Sequence, residues 1–266
     1  MATLVCLHAH PDDESIATAG VMAKAAEEGH TAVLVFATKG EVGEVDDGVL
    51  EDGEDLAQRR VVESEESAKI LGAEGVHFLG YRDSGMAGEP TNDDPACFWQ
   101  ANIDEASDRL AAILTTVGCD VLTIYDENGN YGHPDHVQVH RVGAVAATKA
   151  KVGRVFEATV NRDYLQRLWA QAQEQGAELP SPGDDDAPPD FESLGVPEAQ
   201  ITHGVDVRRW IDRKRASMRA HASQIGEQSF FLQMPEDAFR EAFGVEWFIE
   251  HGQTRAPGEP IADRII

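Results

Sequence analysis

TLVCLHAHPDDESIATAG, residues 3–20, changes character halfway along. Residues 3–7 form an apolar run of the kind found in a buried strand. A helical pattern follows over residues 15–28, where Ala17, Ala19, Gly20 and Ala23 are small enough to pack closely on a sheet and Gly29 supplies the stop. Between strand and helix stand His8, His10, Asp12, Asp13 and Glu14. Mutual repulsion makes so dense a cluster costly unless something neutralises it, and a metal cation is the usual neutraliser.

The alternation continues outward. Apolar runs recur at residues 31–37, 76–79, 121–125 and 155–160, with helices expected over 55–71, 101–117 and 136–150. In the middle one of these, Ile103, Ala106, Leu110, Ile113, Leu114 and Val117 keep a 3.6-residue period. Strands alternating with helices over short connections predict an α/β fold with a mostly parallel sheet covered on both faces. Ligands of such sheets bind at the carboxyl ends of the strands. HAHPDDES lies at one such end, and YDENGNYGHPDHVQVH, residues 125–140, at another.

The 266 residues predict a single domain with a core through about residue 160 and a looser C-terminal part over 161–266. Residues 171–199 are rich in Pro, Gly and Asp and read as a surface loop or lid. A helix is expected over about 206–222, Pro235 opens a short one ending at Gly244, and VEWFIE reads as a final strand.

With 42% hydrophobic and 26% charged residues, the composition is that of a globular protein. The formal charge of -26 disfavours nucleic acid and anionic membrane surfaces as partners, since both would be repelled. No apolar run approaches the roughly 18 residues of a membrane span, and the opening run lacks the basic flank of a signal peptide. Cys6, Cys97 and Cys119 form no CxxC motif and suit reduced thiols in a cytoplasmic protein. The oligomeric state is left open.

Catalytic zinc takes three protein ligands and keeps a fourth position for water. His10 and Asp13 converge from one strand-to-helix turn, and HPDH at 133–136 offers His133 and His136 as the source of a third ligand. Asp12 is left beside the metal, able to take a proton from water. The histidine that stays off the metal can stabilise a developing oxyanion. These parts fit metal-assisted hydrolysis.

AHPDDES together with YGHPDHVQVH resembles the LmbE-like, or PIG-L, family of zinc-dependent N-acetylglucosaminyl de-N-acetylases. The likeness runs through about residue 160, including TKGEVGE, RRVVE and LGYRDSGMAG, and resumes at KRASMRAHASQ. It implies a Rossmann-like sandwich and one zinc held by His10, Asp13 and His136, with iron as a possible occupant in the cell. Asp12 is then the general base. His133 stabilises the oxyanion and protonates the leaving amine, Asp135 orients His133, and Tyr131 polarises the substrate carbonyl. Glu44, Arg60 and Asp83 match positions that contact the sugar or shape its pocket. The implied substrate is a small N-acetylated amino sugar such as N-acetylglucosaminyl inositol.

RDSGM is most similar to the branch that handles mycothiol and its precursors, so cleavage of a mycothiol S-conjugate is an alternative, as is deacetylation of a secondary-metabolite sugar. The acidic segment 44–55 and the 171–199 loop depart from the family pattern and bear on substrate identity. A non-catalytic zinc module is the alternative of a different class. Asp12 argues against it, because a structural site closes its fourth position and needs no neighbouring base.

His136 and His140, spaced i and i+4, form a different helical zinc pair, but one that leaves HPDD unexplained. Asp126, Asn128 and Asn130 imitate a calcium loop, yet Tyr131 and Val137 stand where Gly and Glu are needed. The first strand lacks GxGxxG, and Ser84 lacks a GxSxG elbow. Arg60 and Glu63 are spaced as a helix ion pair, and Asp83 as a turn cap before Gly85. His8, His30 and His77 read as satisfied strand histidines.

Overall fold

A computed structural model describes residues 1–45, 48–174 and 190–266. The opening apolar run becomes β1 (Thr3–His8), and Leu4 to Leu7 are all fully buried. A strand apolar on both faces belongs in the middle of a covered sheet. There β1 lies, with Val5 opposite Val33 of β2 (Thr31–Phe36) on one side and Leu122 of β4 (Val121–Tyr125) on the other. With β3 (Gly75–Phe78), β5 (Arg154–Thr159), β6 (His203–Asp206) and β7 (Val245–Glu250), the described strands form one sheet in the order β3-β2-β1-β4-β5-β7-β6. The first five run parallel, and β7 runs antiparallel to both its neighbours. The α/β fold and mostly parallel sheet follow the pattern of the sequence.

The described helices are α1 (Asp13–Ala17), α2 (Ala19–Glu27), α3 (Leu56–Leu71), α4 (Ile103–Val117), α5 (Gly129–Gly132), α6 (Pro134–Ala150), α7 (Arg162–Glu174), α8 (Ile211–Ala220), α9 (Phe230–Gln233) and α10 (Glu236–Phe243). Helix α4 packs on α6, and α3 packs on α2 and α8. Strand order reverses between β1 and β4, so right-handed crossovers send these two groups to opposite faces. Gly143 lets α6 approach the sheet: a Cβ there would lie 2.4 Å from Cγ2 of Ile124 and 3.4 Å from Cδ2 of Leu7.

Three sequence expectations change. The helix over 15–28 is two helices, broken at Thr18. The Thr18 hydroxyl lies 2.8 Å from Nε2 of His8, and the Glu246 carboxylate accepts from the N–H groups of Gly20 (2.7 Å) and Val21 (2.8 Å), starting a new helix there. The 171–199 loop is helical as far as Glu174, residues 175–189 lie outside the described set, and the remainder contains 3-10 turns at Phe191–Ser193 and Glu198–Gln200. The helix expected over about 206–222 begins as a 3-10 turn, Arg208–Trp210, before α8.

Candidate active site

Three strand ends deliver the site to the point where strand order reverses, the usual ligand position in such sheets. β1 leads into His10, Asp12 and Asp13, the segment after β3 carries Asp83 and Ser84, and β4 leads through α5 to His133, Asp135 and His136. Proline at the first position of α6 presets its helical turn, and His133 is its N-cap. Asp126 at the end of β4 is spent on this turn, accepting from the N–H groups of Asn128 and Asn130, both at 3.0 Å. That accounts for the calcium-like spacing without an ion.

Asp13 lies between two imidazoles. One oxygen is 3.5 Å from Nδ1 of His10, and the other is 3.4 Å from Nε2 of His136. Ligand atoms about 2.0–2.1 Å from a tetrahedral ion stand about 3.3–3.4 Å apart, and each gap, made by a different Asp13 oxygen, is close to that spacing. His136 gives the stronger sign. It is 2% exposed, and neither ring nitrogen has a hydrogen-bond partner. Buried polar atoms are nearly always paired, and an imidazole with a free nitrogen beside a carboxylate has the chemistry of a metal donor. Among the described residues, the groups whose ligand atoms all lie within 4.8 Å of one another are His10 with His133 and His136, and His10 with Asp83 and Asp135; Asp13 approaches His10 and His136 pairwise.

The hydrogen bonds discriminate among these. Nδ1 of His133 accepts from the backbone N–H of Asp135 at 3.1 Å, so neutral His133 carries its proton on Nε2 and has no lone pair for a metal. Burial, then the neighbouring His10 and His136, lower its pKa to about 4, which keeps it neutral. The Asp135 carboxylate does not touch His133. It accepts from the Ser84 N–H at 3.0 Å and from the Ser84 hydroxyl, and meets Nε2 of His10 at 3.1 Å. The orienting contact expected between this carboxylate and His133 is therefore replaced by one to His10. The reason is local: Asp135 reaches His133 with its backbone N–H, leaving its side chain to turn toward β1.

Burial works against a charge on His10, but Asp13, Asp135 and Asp83 outweigh it and hold its pKa well above the ordinary histidine value. Asp13 is held well below the usual carboxylate range, burial being overcome by His136 and His10. Asp12 goes the other way. Burial pushes it up to about 6, against the opposing pull of Arg60. Its backbone has φ 99°, a left-handed conformation strained for any residue but glycine.

The remaining expected residues are placed differently. Tyr131 is 46% exposed at the mouth, edge-on to His136 with ring centroids 4.9 Å apart. Arg60 is buried, and its guanidinium donates to the carbonyls of Gly40 (2.7 Å) and Pro11 and to Asp12 (3.2 Å). It is turned to the protein's own loops rather than outward toward a sugar. The ion pair with Glu63 does not form, because Glu63 accepts instead from the Ser223 N–H and hydroxyl. Asp83 accepts from the Gly85 N–H at 2.9 Å, as a turn cap does, and also faces Nε2 of His10 at 3.3 Å. Glu44 is exposed, and the described contact it makes is through its backbone carbonyl, to Gln224.

Several contributors carried no assignment in the sequence. Ser84 sits within RDSGM, and its fully buried side chain binds Asp135. Tyr125 stacks on His136 with centroids 4.3 Å apart, and its hydroxyl lies 2.8 Å from Nδ1 of His8. Beside Tyr131 a groove of about 390 Å³ runs past Asn128 and Gly132 to Arg162, Glu192 and Gly195. The Gly195 N–H donates to the Asn130 carbonyl at 2.7 Å, tying this stretch to the turn that leads into His133.

Comparison with known proteins agrees with this geometry. The family described as PIG-L, GlcNAc-PI de-N-acetylase, matches residues 5–147. The chain is 39% identical over 258 residues to a 1D-myo-inositol 2-acetamido-2-deoxy-alpha-D-glucopyranoside deacetylase from Acidothermus cellulolyticus, covering 93% of this chain and 88% of the relative. Among solved structures, the N,N'-diacetylchitobiose deacetylase of Pyrococcus horikoshii superimposes with a TM-score of 0.56 at 21% identity, covering 93% of this chain and 83% of that one. GalB, the 4-carboxy-2-hydroxymuconate hydratase of Pseudomonas putida, superimposes equally well, with a TM-score of 0.57 at 19% identity over 96% of this chain and 98% of its own. A hydratase and a deacetylase share this fold, so the reaction has to be argued from the site.

Proposed function

This chain belongs to the PIG-L family, and we propose that it is a metal-dependent hydrolase that removes the acetyl group from an N-acetylglucosaminyl inositol. The observation that carries the reading is buried His136, neither of whose ring nitrogens has a hydrogen-bond partner and whose Nε2 lies 3.4 Å from Asp13. His10, Asp13 and His136 are the residues assigned to the metal. Two imidazoles and a carboxylate suit zinc, and the same donor set also takes ferrous iron. Bound there, the ion supplies Lewis-acid polarisation of the amide carbonyl and acidifies a water.

The protein's own groups do the rest. Asp12 removes a proton from the attacking water, and a carboxyl with a pKa pushed up to about 6 can then return that proton to the departing nitrogen. The C–N bond breaks, water oxygen joins the acyl carbon, and acetate and a free amine leave. His133 presents Nε2–H to the carbonyl oxygen as negative charge develops on it. A neutral imidazole is a good donor for this purpose but a poor proton source, so the leaving amine's proton is assigned to Asp12 rather than His133. Tyr131, which is 46% exposed, is assigned to polarise the substrate carbonyl from the solvent side.

The whole chain is read as one domain. The groove beside Tyr131 is assigned to the part of the substrate beyond the acetylated sugar. The described helices include none long and apolar enough to cross a membrane. The three free cysteines suit a reducing cytoplasm.

The test is release of free amine from N-acetylglucosaminyl inositol by protein loaded with one equivalent of zinc. Turnover that disappears on chelation and returns with metal is the expected result. No release from protein verified to hold the metal would refute the substrate assignment. Release unaffected by chelation would refute the metal.

A further inference from the structure

The base proposed above sits on a strained backbone, and something must hold it there. Asp12 is one of the few residues other than glycine with positive φ among those described, at 99°. Strain of this kind costs on the order of 1–3 kcal/mol and persists only where the surroundings over-determine it. The peptide joining Pro11 to Asp12 is gripped at both ends. Its carbonyl accepts from Nη2 of Arg60, and its N–H donates to Oε2 of Glu14 at 3.0 Å.

Glu14 is itself completely buried and fully engaged. Its other oxygen, Oε1, accepts from the Ser67 hydroxyl at 2.5 Å and the Ser15 hydroxyl at 3.2 Å, and lies 2.6 Å from Nε2 of His221. Ser15, Ser67 and His221 are also fully buried. A carboxylate sealed from water is costly unless paired, and His221 provides the pairing. Ser67 belongs to α3 and His221 follows α8, so two distant parts of the chain converge on a side chain that is sealed from solvent and hydrogen-bonds to none of the residues assigned to the metal. A simple helix start does not need this, since α1 has only five residues.

We infer that Glu14, braced by Ser67 and His221, is a positioning residue that locks the Pro11–Asp12 peptide and so aims the Asp12 carboxylate. Arg60 completes the clamp from the opposite side. The inference rests on the reading of Asp12 as the base.

Two variants test it. Glu14→Gln keeps the shape but weakens the bond to the Asp12 N–H, and Ser67→Ala removes one brace without entering the site. Displacements near 1 Å at a reacting group can cost about a hundredfold in rate. Glu14→Gln is therefore expected to lower kcat tenfold to a hundredfold, with KM within twofold and metal content unchanged. Ser67→Ala should lower kcat less, in the same pattern.

The decisive measurement is a double-mutant cycle with Asp12→Ala. Once the base is gone its aim no longer matters, so Glu14→Gln should leave the residual rate of Asp12→Ala unchanged. Multiplicative losses, or a fall in kcat that only tracks metal content, would overturn the positioning role. An Asp12→Ala protein with normal turnover would instead overturn the base. If Glu14→Gln fails to fold, an unaltered kcat in Ser67→Ala overturns the inference.

Discussion

Replacing Asp135 with Asn separates two roles for one residue. The carboxylate receives the Ser84 N–H at 3.0 Å and the Ser84 hydroxyl, and faces Nε2 of His10 at 3.1 Å. The Ser84 hydroxyl in turn accepts the Trp99 N–H at 2.9 Å, which directs its own proton toward Asp135. Asparagine keeps the shape and can keep both bonds on its oxygen, while the hydroxyl rotates to meet the amide. What it removes is the charge. A charged acceptor makes a bond about twice as strong as a neutral one, and here that bond makes His10 a more basic donor through its opposite nitrogen. Loss of such a supporting carboxylate typically lowers metal affinity by about 10- to 100-fold, or about 1.4–2.7 kcal/mol. Competition against a chromophoric chelator gives the metal Kd, and turnover at saturating metal gives kcat. The expected result is a raised Kd with kcat within about threefold of the parent. If the carboxylate acted instead by orienting His133, kcat would fall at saturating metal while Kd stayed put, and that outcome would refute the assignment to His10.

Asp12→Ala should retain metal and lose about 10²- to 10⁴-fold in turnover, the usual contribution of a general base; undiminished activity would end that role. The pH profile gives an independent check. Asp12 must be ionised to accept a proton, burial sets its pKa at about 6, and a bound cation can only lower that value. kcat/KM should therefore fall tenfold per unit on the acid side of a limb at or below about pH 6, and a limb above pH 7 would contradict the assignment. Gly143→Ala places a methyl 2.4 Å from Ile124. Overpacking of this kind costs about 1–3 kcal/mol, enough to lower Tm by about 2–4 °C per kcal/mol in a chain of this size. An unchanged or raised Tm would show that α6 can retreat from the sheet freely.

The strands that position the site were legible because they are buried on both faces. β1, β2 and β4 are runs of apolar residues that admit few other readings, and Gly72 and Gly118 end α3 and α4 in left-handed caps where the sequence places them. β6, sequence HGVD, lies at the sheet's edge with only His203 and Val205 buried, so it carries little periodic signal. The break between α1 and α2 depends on Glu246, far along the chain, and no local propensity announces it. That the HPDD and HPDH turns would meet followed from strand ends alone, whereas the choice of His136 over His133 came with the resemblance to the family. The fate of Arg60 did not: its position on a helix suggested either an ion pair with Glu63 or an outward sugar contact, and only the approach of the 11–12 and 40–43 loops shows why it points inward. Asp135 went the same way, because its backbone rather than its side chain satisfies His133.

Glu246 on β7 caps α2, its charge is matched by buried Lys214 at 2.6 Å, and His221 reaches back to Glu14. The residues proposed above as metal ligands, base and oxyanion donor nevertheless all lie at or before residue 136. On a translating ribosome the roughly 110 residues from His136 to Glu246 take on the order of 5–20 s to make. Throughout that interval the nascent chain carries every proposed metal donor while α2 lacks its cap from Glu246 and, until His221 emerges, Glu14 lacks its partner. On the proposed assignment, the order of synthesis puts the metal donors in the chain before the strand that caps α2 and the histidine that meets Glu14.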